Sequence, residues 1–302
     1  MNVLGLKHIL LSALLFFGIG SAMAEDVMLK PFVLASKSMG TLAEKKEQTK
    51  SALTAAGFSV AGDYSPYPDT AILVVTNDEL KSNAAASEHG GFGAVQRVSI
   101  VQGKDGIQVS YTNPVYMANV YRMKGDLSNV AAALAAALDK VEEFGSKKGM
   151  TADKARRYHY MIGMEYFDEP SLLAEYASYE EAIQSVDTKL ANNQNGATKV
   201  YRVDVTGKQE SVFGVAMKGA AELDKYMDDQ FIMSEIDFRE LKSAAHLPYE
   251  VLVSGNKVYA LYARFRIAIN FPDLSMMGSN SFMNIMKTPD AIRDVLKKTV
   301  QK

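Results

Sequence analysis

Alternating apolar and polar side chains predict the clearest pair of strands in the chain. Residues 107–111 alternate in this way, as does a strand with one buried face. Residues 95–101 are predicted as the partner strand, and Asp105-Gly106 lies in the short segment between the two. Since Asp-Gly is a strong turn signal, an antiparallel hairpin is expected here. Further strands are predicted at residues 31–36, 71–75, 200–205, 212–217, 248–253 and 257–269.

Amphipathic spacing predicts the helices that separate these strands. Apolar residues recur at helical spacing in residues 127–141 and again near the C-terminus, in residues 292–299. Residues 147–196 are predicted to be mostly helical, with Pro170 at the first position of one helix and an Asn-rich turn at 192–196. We therefore expect a helical connector at 147–196.

The last third of the chain repeats the first third in outline. The tetrapeptide Glu-Leu-Lys-Ser occurs at residues 79–82 and again at 240–243, each time before alanines, a loop with a histidine, a hairpin and a helix. The pattern predicts an α+β fold of two related units, residues 25–146 and 197–302, with mixed or antiparallel sheets. Two unrelated α+β domains are the alternative.

The first 24 residues have the three regions of a secretory signal peptide. Lys7 and His8 precede an apolar run, and Ala22 and Ala24 provide the small residues of a cleavage site. A membrane anchor is the alternative, but the run is shorter than the ~20 residues that span a bilayer. We expect export to the periplasm and no transmembrane anchor after cleavage.

Composition narrows the classes of function. The chain of 302 residues contains no cysteine, which excludes disulfides, thiolate metal sites and lipid attachment through cysteine. Its formal net charge of −2 gives no basic footprint for nucleic acid. A small ligand or a periplasmic protein is the expected partner, and the sequence indicates no particular cofactor.

Two segments resemble the bacterial family known as domain of unknown function 302. Residues 245–253, followed by Ala-Arg-Phe-Arg-Ile-Ala at 263–268, resemble one part of it, and Val-Ser-Tyr-Thr-Asn-Pro at 109–114 resembles its recurring strand. Residues 158–168 are similar to a segment of longer, exported relatives. The resemblance implies two tandem copies of a compact α+β unit and transfers no catalytic residue.

Histidines offer one candidate for chemistry. His89 and His246 occupy comparable loops in the two units, and Glu250 follows the second. If the units pack with twofold pseudosymmetry, these groups meet at the interface, where a hydrolase-like or metal-dependent site is possible. Structural roles for both histidines are the alternative, and no Ser or Gly-rich motif supports nucleophilic catalysis or nucleotide binding.

Three further polar residues are candidate ligand contacts. His159 lies among aromatic residues that either hold it against a ligand or pack it between domains. Arg264 and Arg266 alternate with apolar residues, so a strand places both on one face. They then clamp an anion or pair with acidic neighbours such as Asp237 and Glu240.

Methionine is abundant, with 16 in the chain. Met161 and Met164, like Met283 and Met286, have the M-x-x-M spacing that places two thioethers on one helix face. Thioethers bind Cu(I), whereas packing in the core is the alternative role. The segment 270–282 is rich in Met, Gly and Ser and is expected to cover a pocket.

These observations favour a soluble periplasmic binding or accessory protein with no evident catalytic set. An enzyme that uses His89, His246 and nearby carboxylates is one alternative. A Cu(I)-handling protein that uses the two Met pairs is another.

Overall fold

The computed structural model describes residues 27–160 and 162–301. In this part of the chain, two antiparallel sheets of six and five strands are packed with helices, which confirms the α+β class. The proposed signal peptide lies outside the described residues. None of the helices described is both long enough and apolar enough to cross a membrane.

The first sheet is built from the N-terminal half of the chain. Its strands are β1 (Phe32–Ser38), β2 (Ser59–Tyr64), β3 (Thr70–Thr76), β4 (Gln96–Gly103), β5 (Gly106–Thr112) and β6 (Glu142–Phe144). The helices of this half are α1 (Leu42–Ala55), α2 (Asp78–Ala86), α3 (Pro114–Val120), α4 (Ser128–Leu138) and α5 (Ala152–Arg156). The predicted hairpin is present as β4 and β5, with Val98 opposite Tyr111.

The second sheet is built from the C-terminal half. Its strands are β7 (Ser171–Glu175), β8 (Ala197–Asp204), β9 (Glu210–Met217), β10 (Tyr249–Ser254) and β11 (Lys257–Ala260). Its helices are α6 (Tyr179–Ala191), α7 (Asp229–Ile236), α8 (Ala263–Asn270) and α9 (Thr288–Val300).

Both sheets have the same strand order. The first sheet runs β2-β3-β4-β5-β1, with β6 added at the edge, and the second runs β8-β9-β10-β11-β7. In each half one helix follows the first strand, and another connects the third strand to the fourth. The chain therefore contains one topology twice, and the second copy begins with β7 and α6 rather than at residue 197.

The prediction of a helical connector at residues 147–196 was wrong in its middle part. Ser171–Glu175 forms β7, which pairs with β11 at the edge of the second sheet. Ser-Leu-Leu-Ala-Glu has ordinary helix-forming residues, but pairing with a neighbouring strand overrides such local preference. The following helix begins at its cap Ser178, whose hydroxyl accepts from the Glu181 N–H, rather than at Pro170. The second sheet thus begins before residue 197.

The long strand predicted at residues 257–269 was also wrong beyond Ala260. Residues 263–270 form α8, in which every residue except Arg264 is buried. A helix buried on most of its surface shows weak periodicity, so its short sequence is easily read as alternating. In a helix, residues two apart point in different directions, and Arg264 and Arg266 are accordingly separated.

Each half places a short segment against the sheet of the other half. The 3-10 helix Gly90–Gly93 contacts β9 and β10, and the 3-10 helix Ala244–His246 contacts β3, β4 and β5. A Cβ on Gly91 would lie 2.4 Å from Leu252 Cδ1, so a larger residue here would displace the Leu252 side chain. Gly91 therefore serves packing between the halves, whereas Gly90 and Gly93 lie against Ala84 and Met123 of their own half.

Candidate functional site

Three residues predicted as ligand contacts, His246, Glu250 and Arg266, lie together in the buried contact between the two sheets. Glu250 Oε1 lies 3.1 Å from Nη1 of Arg97, which belongs to β4 of the other sheet. Glu250 Oε2 lies 3.3 Å from Nη1 of Arg266. The carboxylate is thus shared by two guanidinium groups of the protein itself.

His246 is fixed on both ring nitrogens within this cluster. The Asn270 amide lies 2.8 Å from Nδ1, and the Tyr249 hydroxyl lies 3.1 Å from Nε2. Burial, together with the charges of Arg266 and Arg97, holds the pKa of His246 well below its ordinary value. With the amide donating to Nδ1, the neutral ring carries its proton on Nε2 and donates it to Tyr249.

Tyr201 reaches Glu250 across β9 because residue 214 is a glycine. The strand register places Gly214 opposite both Tyr201 and Glu250. A Cβ at residue 214 would lie 2.0 Å from Tyr201 Cε1, so the ring occupies the space of the missing side chain. Its hydroxyl donates to Glu250 Oε1 at 2.8 Å. The cluster is a cross-link between the sheets.

His89 belongs to a different environment. Its ring packs 5.1 Å, between centroids, from Tyr259 in β11. Within the part of the chain that the structure describes, no hydrogen bond, ion pair or ring contact joins His89 to His246. Nor do residues 27–160 and 162–301 hold a group of three His, Asp or Glu side chains suited to a metal ion. The two loops that contain His89 and His246 therefore do not form a shared polar site in the described residues.

Other predicted residues meet in a pocket of about 400 Å³ beside α8 and α9. Met164, Met283, Met286 and Arg264 all line it, whereas Met161 lies outside the described residues. Its lining is completed by Tyr160, Ile267, Ala268, Phe271, Leu274, Met276, Phe282, Pro289 and Asp290. The wall is mostly apolar, and four thioethers contribute to it.

The segment between α8 and α9 closes on itself and brings three methionines together. The Met283 N–H donates to the carbonyl of Met276 at 3.2 Å, and the Met286 N–H donates to the carbonyl of Met283 at 3.4 Å. A further bridge joins Ser275 to Ser281. Met276, Met283 and Met286 nevertheless remain 43%, 52% and 60% exposed, so this segment holds apolar side chains in contact with solvent.

The rim of the pocket is held by residues of the loop before β7. Arg264 forms a double hydrogen bond with Glu165. Partial burial raises the pKa of Glu165. Hydrogen bonds and the charge of Arg264 outweigh this effect and hold the pKa of Glu165 below its ordinary value. The acidic partners of Arg264 and Arg266 are thus Glu165 and Glu250, rather than Asp237 or Glu240.

His159 lies next to this rim and supports it. Its ring stacks on Tyr166 with 4.1 Å between centroids, and Nε2 lies 3.0 Å from the carbonyl oxygen of Met164. The neighbouring Tyr160 hydroxyl hydrogen-bonds to the thioether sulfur of Met276. His159 therefore orders the backbone of a lining residue, and Tyr160 orients a thioether.

Sequence reasoning placed part of this pocket. The M-x-x-M spacing identified Met283 and Met286, and the composition of residues 270–282 indicated a segment over a pocket. Phe271 and Phe282 lie in that segment but were not singled out as lining residues, and Tyr160 was not expected there, because single aromatic residues carry no positional signal. Comparison with protein-family models, curated proteins and solved structures found no match, so the likeness to domain of unknown function 302 stays a prediction.

Proposed function

We propose that the protein is an exported, periplasmic binding protein whose ligand occupies the methionine-lined pocket. One observation carries this proposal: four thioethers and three aromatic rings line a single pocket of about 400 Å³. Ligand pockets commonly have such a volume, with apolar walls and a few fixed polar groups. Here the polar groups are the Arg264–Glu165 pair and Asp290 at the rim.

The exposure of the methionines supports a binding role over a packing role. Methionines that fill a core are buried, as Met117 and Met123 are in this chain. Met283 and Met286 instead leave more than half of their surface in water. Flexible, polarizable methionine side chains are typical of surfaces that adapt to an apolar ligand.

Binding of an apolar fluorophore tests the proposal. N-phenyl-1-naphthylamine is expected to bind with enhanced fluorescence, since entry removes its rings from water. Met283→Glu places a charge in the wall and should weaken binding at least about 10-fold, because a bound apolar ligand would remove the carboxylate from water without offering it a partner. Met39→Glu is the matched control: Met39 is 85% exposed and is not part of the pocket lining. Equal binding by both variants and the unaltered protein would refute the proposal.

A further inference from the structure

We infer that the methionine-lined pocket binds a soft monovalent metal ion, Cu(I), through the thioethers of Met276, Met283 and Met286. The inference rests on the proposed function, because it assigns a ligand class to the same pocket. It is a binding step without electron transfer. The three residues belong to one closed segment whose backbone is hydrogen-bonded directly between them.

The spacing of these residues limits how far their side chains can be from one another. Met276 and Met283 are linked by a backbone hydrogen bond of 3.2 Å, and Met286 follows Met283 by one 3-10 turn. All three side chains line the same pocket. A flexible thioether has three rotatable bonds, so sulfurs on adjoining backbone positions can converge on one ion.

The donor chemistry of the site favours a soft ion over a hard one. Thioether sulfur selects Cu(I), whereas carboxylate and carbonyl oxygen suit Mg²⁺ and Ca²⁺. The chain has no cysteine, so methionine and histidine are the soft donors that remain. Outside residues 1–26, 161 and 302, no cluster of three His, Asp or Glu competes for a divalent ion.

The two charged residues of the pocket lining, Arg264 and Asp290, are each paired with an opposite charge. Asp290 forms an ion pair with Arg293, with 3.1 Å between Oδ1 and Nη2. The positive charge of Arg264 is matched by Glu165, through both carboxylate oxygens. The Tyr160 hydroxyl contacts the Met276 sulfur and so holds that thioether at the wall.

Competition with bicinchoninate under anaerobic, reducing conditions tests the inference. The full chain is expected to withdraw one equivalent of Cu(I) from the coloured chelator complex. The variant Met276→Leu/Met283→Leu/Met286→Leu keeps the volume and apolarity of the wall. It should lose Cu(I) affinity at least about 10-fold, since loss even of a residue that only supports a ligand costs 10–100-fold. Met28→Leu/Met39→Leu, outside the pocket, should keep full affinity.

The naphthylamine separates the two proposals. The triple Leu variant should still bind the fluorophore, which shows that its pocket is folded while its sulfurs are absent. Unchanged Cu(I) affinity in that variant, or no withdrawal of Cu(I) by the unaltered protein, overturns the metal inference. If the unaltered protein binds the fluorophore without binding Cu(I), only the metal inference fails. If it binds neither, the pocket proposal fails as well.

Discussion

Arg97 and Glu250 join the two sheets through a buried ion pair, with 3.1 Å between Nη1 and Oε1. Arg97 belongs to β4 and Glu250 to β10, which are inner strands of their sheets. The side chains are 2% and 0% exposed, so water contributes almost nothing to their solvation. Arg97 therefore depends on the other half of the molecule for its counterion, whereas Glu250 also pairs with Arg266 of its own half.

Removal of the Glu250 carboxylate should destabilise the protein strongly. Glu250→Ala leaves Arg97 and Arg266 buried without their anion, and such uncompensated charges cost about 3–5 kcal/mol. Urea unfolding followed by circular dichroism measures the change. The control is Glu222→Gln, because Glu222 pairs with Lys225 at the surface and should leave the unfolding midpoint unchanged. A midpoint for Glu250→Ala equal to that of the control would show that the buried pair contributes nothing.

The contribution of Asp229 to the free energy of unfolding should fall as the pH rises from about 4 to about 8. Burial raises the pKa of Asp229 from 3.8 to about 8, against the effect of the hydrogen bond from the Met217 N–H. Below the unfolded value, both states bind the proton and the full stability is present. As the pH rises, the unfolded state ionises first, and stability is lost until the folded state also ionises.

The variant Asp229→Asn tests this dependence. Asparagine stays neutral and keeps an acceptor for Met217, so between about pH 5 and pH 7 the variant should gain about 1.4 kcal/mol per pH unit over the unaltered protein. Burial also raises the pKa of Asp237, to about 7. Asp237 therefore adds the same pH dependence to the free energy of unfolding of both proteins, and this part cancels in the comparison. Unfolding free energies across this range measure the difference. Parallel curves for the variant and the unaltered protein would contradict the assignment.

Gly214 should not tolerate a methyl group. The Cβ of Gly214→Ala would lie 2.0 Å from the Tyr201 ring, which must move and lose its hydrogen bond with Glu250. Such overpacking costs about 1–3 kcal/mol. Gly103→Ala is the control, since its nearest neighbour lies 3.4 Å away. A double-mutant cycle with Tyr201→Ala should remove most of the cost, and additive effects would argue against contact between the two positions.

Oxidation should distinguish the pocket methionines from the core. Met283 and Met286 are more than half exposed, whereas Met117 and Met123 are buried. Dilute hydrogen peroxide should therefore convert the former to sulfoxides first, as peptide mass spectrometry measures. A bound ligand should slow oxidation of Met283 and Met286 and leave that of exposed Met39 unaffected. If the ligand slows oxidation of Met39 as much as that of Met283 and Met286, the protection does not come from a ligand bound in the pocket.

The sequence allowed prediction of the fold where local pattern and tertiary environment agree. The hairpin at Asp105-Gly106 has alternating strands and a strong turn, and it forms as expected. β7 and α8 depend on their partners instead. β7 is an edge strand because β11 offers it hydrogen bonds, and α8 is surrounded on most sides, so neither carries the periodicity of its final structure.

The candidate site shows the same division. Two methionines three residues apart are visible in a sequence, whereas the path that brings Met164 and Tyr160 to them from a distant loop is not. Likewise, Glu250 was identified as a candidate carboxylate near His246, but its partner Arg97 is 153 residues away. Long-range pairing of charges has no signature in one chain.

Each of the two short 3-10 helices covers the sheet of the other half, and this arrangement has a consequence for the N-terminal half in isolation. A fragment ending near residue 146 would retain its own six strands, yet the segment Ala244–His246 would no longer cover β3, β4 and β5. Arg97 would be left without its counterion. An isolated N-terminal half would thus expose a sheet surface that carries an uncompensated charge. We expect such a fragment to associate with a second copy of itself.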